Sequence, residues 1–122
     1  MKAFNPTEVL NFVKGILMLQ ANAQLLDLSY KTVDASLLVN PGRSASTFYS
    51  LDEKDLPKTL IGDELRFKQI LINLVKNAIK FTRKRNGFVH ILVGYDATCD
   101  RLIVVVADSG VGITQEEMPL LC

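Results

Sequence analysis

The feature that most constrains this chain is the segment at residues 63–82, which reads DELRFKQILINLVKNAIKFT. Its apolar residues recur at the spacing of one face of an α-helix, and they are Phe67, Ile70, Leu71, Leu74 and Ala78. Asp63 stands where an N-cap side chain accepts a hydrogen bond from the first turn. A helix with one apolar face must bury that face, so we expect it to pack against a sheet.

The second half of the chain supplies the strands of such a sheet. Residues 88–93 and the apolar run at 102–107 are separated by a polar connection, residues 96–100, which is short enough for a hairpin. This pattern predicts an antiparallel pair. Upstream, residues 28–33 alternate as a strand does, and residues 59–61 form a second, shorter candidate.

Helix-start signals occur near both ends of the chain. Asn5 followed by Pro6 and Glu8 predicts a helix from about residue 6 to about residue 26. Thr114 and Glu117 form a similar capping pattern and predict a helix over residues 114–118. The order of elements predicts an α/β fold, a two-layer sandwich in which helices cover one face of a mixed sheet.

Composition restricts the kinds of partner. The chain has 122 residues, and its 14 Lys plus Arg against 13 Asp plus Glu give a formal charge of +1, so no overall field favours nucleic acid or an anionic membrane. No apolar stretch approaches the roughly 20 residues of a membrane span. Cys99, Cys122 and the single histidine, His90, make no zinc pattern, and reduced thiols favour a cytoplasmic setting.

Polar residues form their own stripe on the helix at 63–82. Asn73, Asn77 and Lys80 fall on one side, and Arg66 continues the line. An amide oxygen can bind a hard cation, and lysine or arginine can meet phosphate, so the stripe suggests a nucleotide site. The competing interpretation is an ordinary solvated helix face.

A second motif follows the apolar run at 102–107. Asp108 ends that run and is followed by Gly110 and Gly112. A carboxylate there can accept a hydrogen bond from an exocyclic amine, and the glycines allow a flat base to approach the backbone. The same residues are also typical of an ordinary turn between a strand and a helix. The chain contains neither G-x-x-x-x-G-K-[ST] nor G-x-G-x-x-G, so Walker and Rossmann sites are unsupported.

Together the two motifs resemble the ATP-binding domain of sensor histidine kinases, a Bergerat-type fold. QILINLVKNAIKFT resembles that family's N box, and VVADSGVGITQEE resembles its first glycine box. The resemblance implies that residues 1–122 are one partial domain, with a loop insertion at 38–57 and an incomplete C-terminal end. In that case the strand at 102–107 would present an exposed apolar edge.

The resemblance also implies roles for residues of the N box. Asn77 would coordinate Mg²⁺, Asn73 would lie on the phosphate side, Lys80 would meet phosphate, and Phe81 would lie near the adenine. An aromatic residue at helical spacing is otherwise a core residue, and that alternative stays open for Phe81.

In the glycine box the resemblance implies that Asp108 accepts the adenine amine, while Gly110 and Gly112 shape the base pocket. No catalytic residue is identified in this chain. The phosphoacceptor histidine of the family lies on a helix, whereas His90 lies in a strand pattern, so that histidine must belong to another domain.

The implied function is binding of Mg-ATP for transfer of a phosphoryl group to a histidine in a two-component phosphorelay. Its partners would be a histidine-containing dimerisation domain and a response-regulator receiver domain. Related hydrolytic ATPases carry a glutamate at the position of Asn73, and an amide cannot take a proton from water. The alternatives are a non-catalytic interaction module or degenerate fragment that binds a kinase partner and, third, a hydrolytic ATPase.

Overall fold

Two helices cover one face of a four-stranded sheet in the computed structural model, which describes residues 2–38, 51–82, 86–109 and 113–120. The elements in chain order are β1 (Lys2–Phe4), α1 (Pro6–Ala23), β2 (Asp27–Thr32), a 3₁₀ turn (Ala35–Leu37), β3 (Leu60–Gly62), α2 (Glu64–Phe81), β4 (Phe88–Asp96), β5 (Arg101–Asp108) and β6 (Ile113–Pro119). The sheet order is β2-β4-β5-β6, with β2 parallel to β4 and the other pairs antiparallel, while β1 and β3 form a separate two-stranded ribbon. The predicted two-layer sandwich with a mixed sheet is confirmed.

Two of the three predicted helix caps are present, at Asn5 and Asp63. The Asn5 side chain accepts a hydrogen bond from the Thr7 amide at 2.9 Å, and the Asp63 side chain accepts one from the Arg66 amide at 3.0 Å. Helix α1 ends at Ala23, before the predicted limit, because Leu25 adopts a left-handed conformation with φ 57°. No helix among the described residues is long and apolar enough to cross a membrane.

The apolar run in β5 is buried on both faces of the sheet. Leu102, Val104 and Val106 pack in the core beneath the helices. Ile103 and Val105 face the other way and pack with Ala35 of the 3₁₀ turn and with Leu38, which follows it. This double burial explains why the run shows no polar alternation. Of the predicted insertion at 38–57, residues 39–50 lie outside the described residues.

The predicted helix at 114–118 is wrong, because these residues lie in β6. The strand pairs antiparallel with β5, and Met118 at its far end is buried in the core beneath the helices. Arg101 Nη1 lies 2.6 Å from Glu117 Oε2, which ties the two strands together. The pairing satisfies backbone groups along β5 that an isolated turn of helix would leave open, so it overrides the local capping signal of Thr114.

The expected exposed edge at 102–107 is wrong for the same reason. Strand β5 lies between β4 and β6, and the edge on this side of the sheet is β6. The outer strand exposes polar and charged side chains, namely Thr114, Gln115, Glu116 and Glu117. Charged side chains on an edge strand oppose further pairing with other chains.

Candidate functional site

The polar stripe of α2 faces solvent over its whole length. Asn73, Asn77 and Lys80 are exposed, whereas the opposite side of the helix buries Phe67 and Leu71 in the core. The helical repeat places the three polar residues on successive turns of one side. The structure therefore leaves this side of the helix accessible to a ligand.

A shallow cavity of about 220 Å³ lies beside the first part of this stripe. Its polar lining is Arg66, Gln69, Asn73 and Glu116. Arg66 and Asn73 are thus brought together as the pattern predicted. Gln69 was missed, although it lies four residues before Asn73 and the helical spacing could have found it. Glu116 could not have been found, since it reaches α2 only because β6 is a strand.

The end of α2 presents Lys80 and Phe81 next to each other. The Lys80 Nζ atom lies 5.4 Å from the centroid of the Phe81 ring, and the Phe81 side chain is 51% exposed. Phe81 is therefore not a core residue, which removes the alternative that its spacing left open. The positive charge of Lys80 also lies in the last turn, where the helix dipole favours it.

The carboxylate of Asp108 ends β5 on the side of the sheet that carries the helices. Asp108 is buried and pairs with Val89, whose side chain belongs to the core beneath the helices. The exit from the strand is held by two hydrogen bonds, one from the Ser109 amide to the Phe88 carbonyl at 3.1 Å and one from the Phe88 amide to Ser109 Oγ at 3.0 Å. Gly110 and Gly112 lie outside the described residues.

The side chains of α2 suit a metal that arrives with its own anion. From Leu65 to Phe81 the helix carries amide oxygens and cations and has no carboxylate. Mg²⁺ prefers oxygen ligands and keeps several waters, and it is commonly held by one or two protein groups plus phosphates. Asn77 fits such a site, in which phosphate rather than protein would balance the charge of the metal.

His90 lies on strand β4 and faces away from the helices. Its Nδ1 atom shares a hydrogen bond of 2.6 Å with Ser29 Oγ. Burial lowers the pKa of His90 below its usual value, while the nearby Asp27 carboxylate acts in the opposite direction. A half-buried imidazole in a strand is structural in character, as its strand pattern predicted.

Sequence comparison points to one family of nucleotide-binding domains. Residues 62–122 match the family described as histidine kinase-, DNA gyrase B-, and HSP90-like ATPases. The chain is 42% identical over 72 residues to the signal transduction histidine-protein kinase BarA of Escherichia coli K12 and 38% identical over 73 residues to the sensor histidine kinase GacS of Pseudomonas protegens. These matches cover 57% and 59% of this chain but only 8% of each relative.

Structure comparison agrees over a larger part of the chain. The nucleotide-free catalytic domain of histidine kinase ThkA superposes with a TM-score of 0.62 at 27% identity, covering 89% of this chain and 58% of that chain. ThkA in complex with the response regulator TrrA gives a TM-score of 0.61 at 27% identity, covering 89% of this chain and 25% of that chain. The structural likeness therefore extends beyond the family match into the first half of the chain.

Proposed function

The chain belongs to the family of histidine kinase-, DNA gyrase B- and HSP90-like ATPases, and on that basis we propose that it binds Mg-ATP for phosphoryl transfer to a histidine on another domain. The observation that carries the proposal is the exposed stripe of Asn73, Asn77 and Lys80 on a helix that has no carboxylate from Leu65 to Phe81. Such a stripe suits a polyphosphate that brings its own metal. We also propose that residues 1–122 form part of one such domain, with residues 38–57 as a loop insertion.

Each side chain of the stripe has a separate task in this proposal. Asn77 offers its amide oxygen to Mg²⁺, and the metal, when bound, would offset negative charge on the phosphate oxygens. Lys80 adds a positive charge nearly one turn further along. Asn73 lies on the phosphate side but cannot take a proton from water, so the phosphoryl group is kept for another nucleophile. Phe81, exposed beside Lys80, offers an apolar surface near the adenine.

Asp108 is proposed to select adenine, with Gly110 and Gly112 shaping the pocket around the base. The exocyclic amine of adenine can donate a hydrogen bond to the Asp108 carboxylate. Guanine presents a carbonyl at the same position, which would leave both acceptors unpaired at a cost of about 1–3 kcal/mol. We therefore expect ATP to bind at least about five times more tightly than GTP. In Asp108→Asn this ratio should fall towards one. Competition of each nucleotide against a fluorescent ATP analogue measures both affinities.

The control for this experiment is Asp52→Asn, which removes an exposed carboxylate elsewhere in the chain. It should leave the ratio of ATP to GTP affinity unchanged. Equal competition by GTP and ATP in the unmodified chain would contradict the role assigned to Asp108. A loss of selectivity in the control as well would show that the effect comes from net charge.

The partners of this chain follow from the same proposal. The receiving histidine would lie on a dimerisation domain of the same or a partner kinase, and a receiver domain would accept the phosphoryl group next. The structure of ThkA with a response regulator supports a partner of that class. Because ATP is drawn from the cytoplasmic pool, we place this domain in the cytoplasm.

One observation favours a second function, the hydrolysis of ATP. Glu116 lines the same cavity as Asn73 and brings a carboxylate to the side of α2 where Asn73 offers none. In that reaction, water attacks the γ-phosphorus, the bond to the β–γ bridging oxygen breaks, and the carboxylate takes the proton from water.

Glu116→Gln tests the hydrolytic function. If the chain hydrolyses ATP through this carboxylate, the variant should release phosphate at least about 100 times more slowly, as expected for loss of a general base. Glu117→Gln is the matched control, because Glu117 points to the other face of the strand and pairs with Arg101. Phosphate release that is undetectable, or equal in the two variants, would exclude hydrolysis through Glu116.

A further inference from the structure

Strand β2 is the outermost strand on its side of the four-stranded sheet, so only one of its two backbone edges is used by a neighbouring strand. The amides of Asp27 and Val33 donate hydrogen bonds towards β4, to the carbonyl groups of Gly87 and Val93, each at 3.0 Å. Successive residues of a strand direct their backbone groups to alternate edges. The even-numbered residues of β2 therefore direct theirs to the outer edge.

The centre of this outer edge carries backbone groups that no described residue satisfies. The Thr32 carbonyl accepts a hydrogen bond from the Lys54 amide at 2.9 Å. In the described part of the chain, nothing bonds to the outward amide and carbonyl groups of Leu28 and Tyr30. A row of such groups is a template for pairing with another strand.

The charged side chains of β2 lie on the face of the sheet away from the helices. Leu28 is buried beneath the helices, so strand alternation turns Asp27, Ser29 and Lys31 to the opposite face. These three residues line one cavity of about 310 Å³. The small side chain of Ser29 is held by its hydrogen bond with His90. Neither Asp27 nor Lys31 forms an ion pair with a described residue.

Hydrogen bonding defines the register in which two copies of this edge can pair. Two antiparallel copies of β2 would be related by a two-fold axis perpendicular to the sheet. The open groups are those of Leu28 and Tyr30, so the axis that satisfies them all passes beside Ser29. Leu28 of each copy then exchanges two hydrogen bonds with Tyr30 of the other copy. The same register places Asp27 of each copy opposite Lys31 of the other.

We propose that the outer edge of β2 binds the same edge of a second copy of this chain, as an antiparallel pair centred on Ser29. Opposite charges directly across a strand pair are stabilising, and like charges are destabilising. Asp27 and Lys31 form two attractive pairs in this register, because the edge is complementary to itself. That complementarity selects a second copy over the strand of another protein.

The opposite edge of the sheet lacks this complementarity. The charged residues of β6 are Glu116 and Glu117, and both are carboxylates. Glu117 already pairs with Arg101 of the neighbouring strand. Charges of one sign protect an edge strand from pairing, whereas β2 carries one charge of each sign.

Three further charged residues lie near the β2 edge. Lys14 is on the helix side of the sheet, where its Nζ atom lies 5.9 Å from the centroid of the Tyr30 ring. Glu53 and Lys54 lie beside the last residues of β2, and Lys54 pairs with Asp34 at 3.4 Å. Glu53 and Lys54 are opposite in charge. The second strand, which starts at residue 27, ends opposite residue 31 and does not extend over them.

Exchange of charges tests the register, and the chain is used without nucleotide so that the outcome is independent of ATP binding. Sedimentation velocity should show a reversible monomer–dimer equilibrium. Asp27→Lys and Lys31→Asp should each weaken the dimer at least about ten-fold, because two attractive pairs become repulsive. An equimolar mixture of the two variants should associate again, since each supplies the charge that the other lacks. The double variant should also dimerise.

Two substitutions outside β2 are the matched controls for net charge. Asp52→Lys and Lys58→Asp change the charge by the same amounts at exposed positions. Both should leave the dimerisation constant unchanged. Circular dichroism of all variants checks that the fold is retained.

A disulfide tests the centre of the pair. The two Ser29 residues would face each other with Cα atoms about 4.5 Å apart, within the range of a disulfide. In a background of Cys99→Ser and Cys122→Ser, Ser29→Cys should form a covalent dimer with copper phenanthroline as the oxidant. Thr32→Cys on the same strand should not, because its two copies would lie about 20 Å apart.

Several results would overturn the proposal. These are a chain that stays monomeric at the highest concentration reached, and a dimer that both charge reversals leave unchanged. Failure of the mixed variants to associate would exclude this register. Equal cross-linking of Ser29→Cys and Thr32→Cys would exclude Ser29 as the centre, and equal weakening by the control substitutions would show an effect of net charge alone.

Discussion

Replacing Asn77 with alanine should lower the affinity for Mg-ATP at least about ten-fold, which corresponds to about 1.4 kcal/mol. The exposed amide of Asn77 is the protein oxygen proposed to bind the metal, and no carboxylate between Leu65 and Phe81 can replace it. Isothermal titration calorimetry with Mg-ATP measures the effect. The same titration with Mg²⁺ alone should give no binding, because the charge of the metal has to be balanced by phosphate.

Asn22→Ala is the matched control for this substitution. Asn22 is also an exposed asparagine on a helix, but it lies on α1 and outside the polar stripe of α2. Both substitutions introduce alanine into a helix, so both should leave the fold intact. An unchanged affinity for Mg-ATP in Asn77→Ala, or an equal loss in Asn22→Ala, would contradict the proposed metal ligand.

Replacing Gly94 with alanine should reduce the free energy of unfolding by about 1–3 kcal/mol. A Cβ atom at this position would lie 2.7 Å from the Cα atom of Ala35 and 2.9 Å from its nitrogen. These are backbone atoms of the 3₁₀ turn, so no side-chain rotation can relieve the overlap. The turn would have to move away from β4. Urea denaturation followed by circular dichroism measures the loss.

Gly15→Ala is the opposite case and serves as the control. An added Cβ on Gly15 meets no atom within 4 Å, and alanine has the higher helix propensity, so α1 should gain up to about 1 kcal/mol. Equal changes in the two variants would show that the close approach of Ala35 to Gly94 does not constrain the fold.

Local sequence patterns were sufficient to predict the elements that depend on residues close together in the chain. The Asn5 and Asp63 caps and the hairpin of β4 and β5 are as predicted. The apolar side of α2 was predicted in part: Phe67, Leu71 and Ala78 are buried, whereas Ile70 and Leu74 are only partly buried. The pattern that predicts each of these elements involves residues only a few positions apart. Helical and strand periods, caps and short connections all depend on such near neighbours. The polar stripe of α2 follows from the same helical repeat.

Pairing between distant segments decided the features of the fold that local patterns did not predict. Thr114 and Glu117 satisfy a helix-capping pattern, yet β6 forms because β5 offers a row of backbone partners and the core accepts Met118. The same strand brings Glu116 to the cavity beside Asn73, which no local pattern can foresee. The sequence alone determined the two helices, the hairpin and the residues of the polar stripe, since their signals are short-range. Only the tertiary structure decided what lies beside the stripe, because backbone pairing and core burial between distant segments outweigh a local preference.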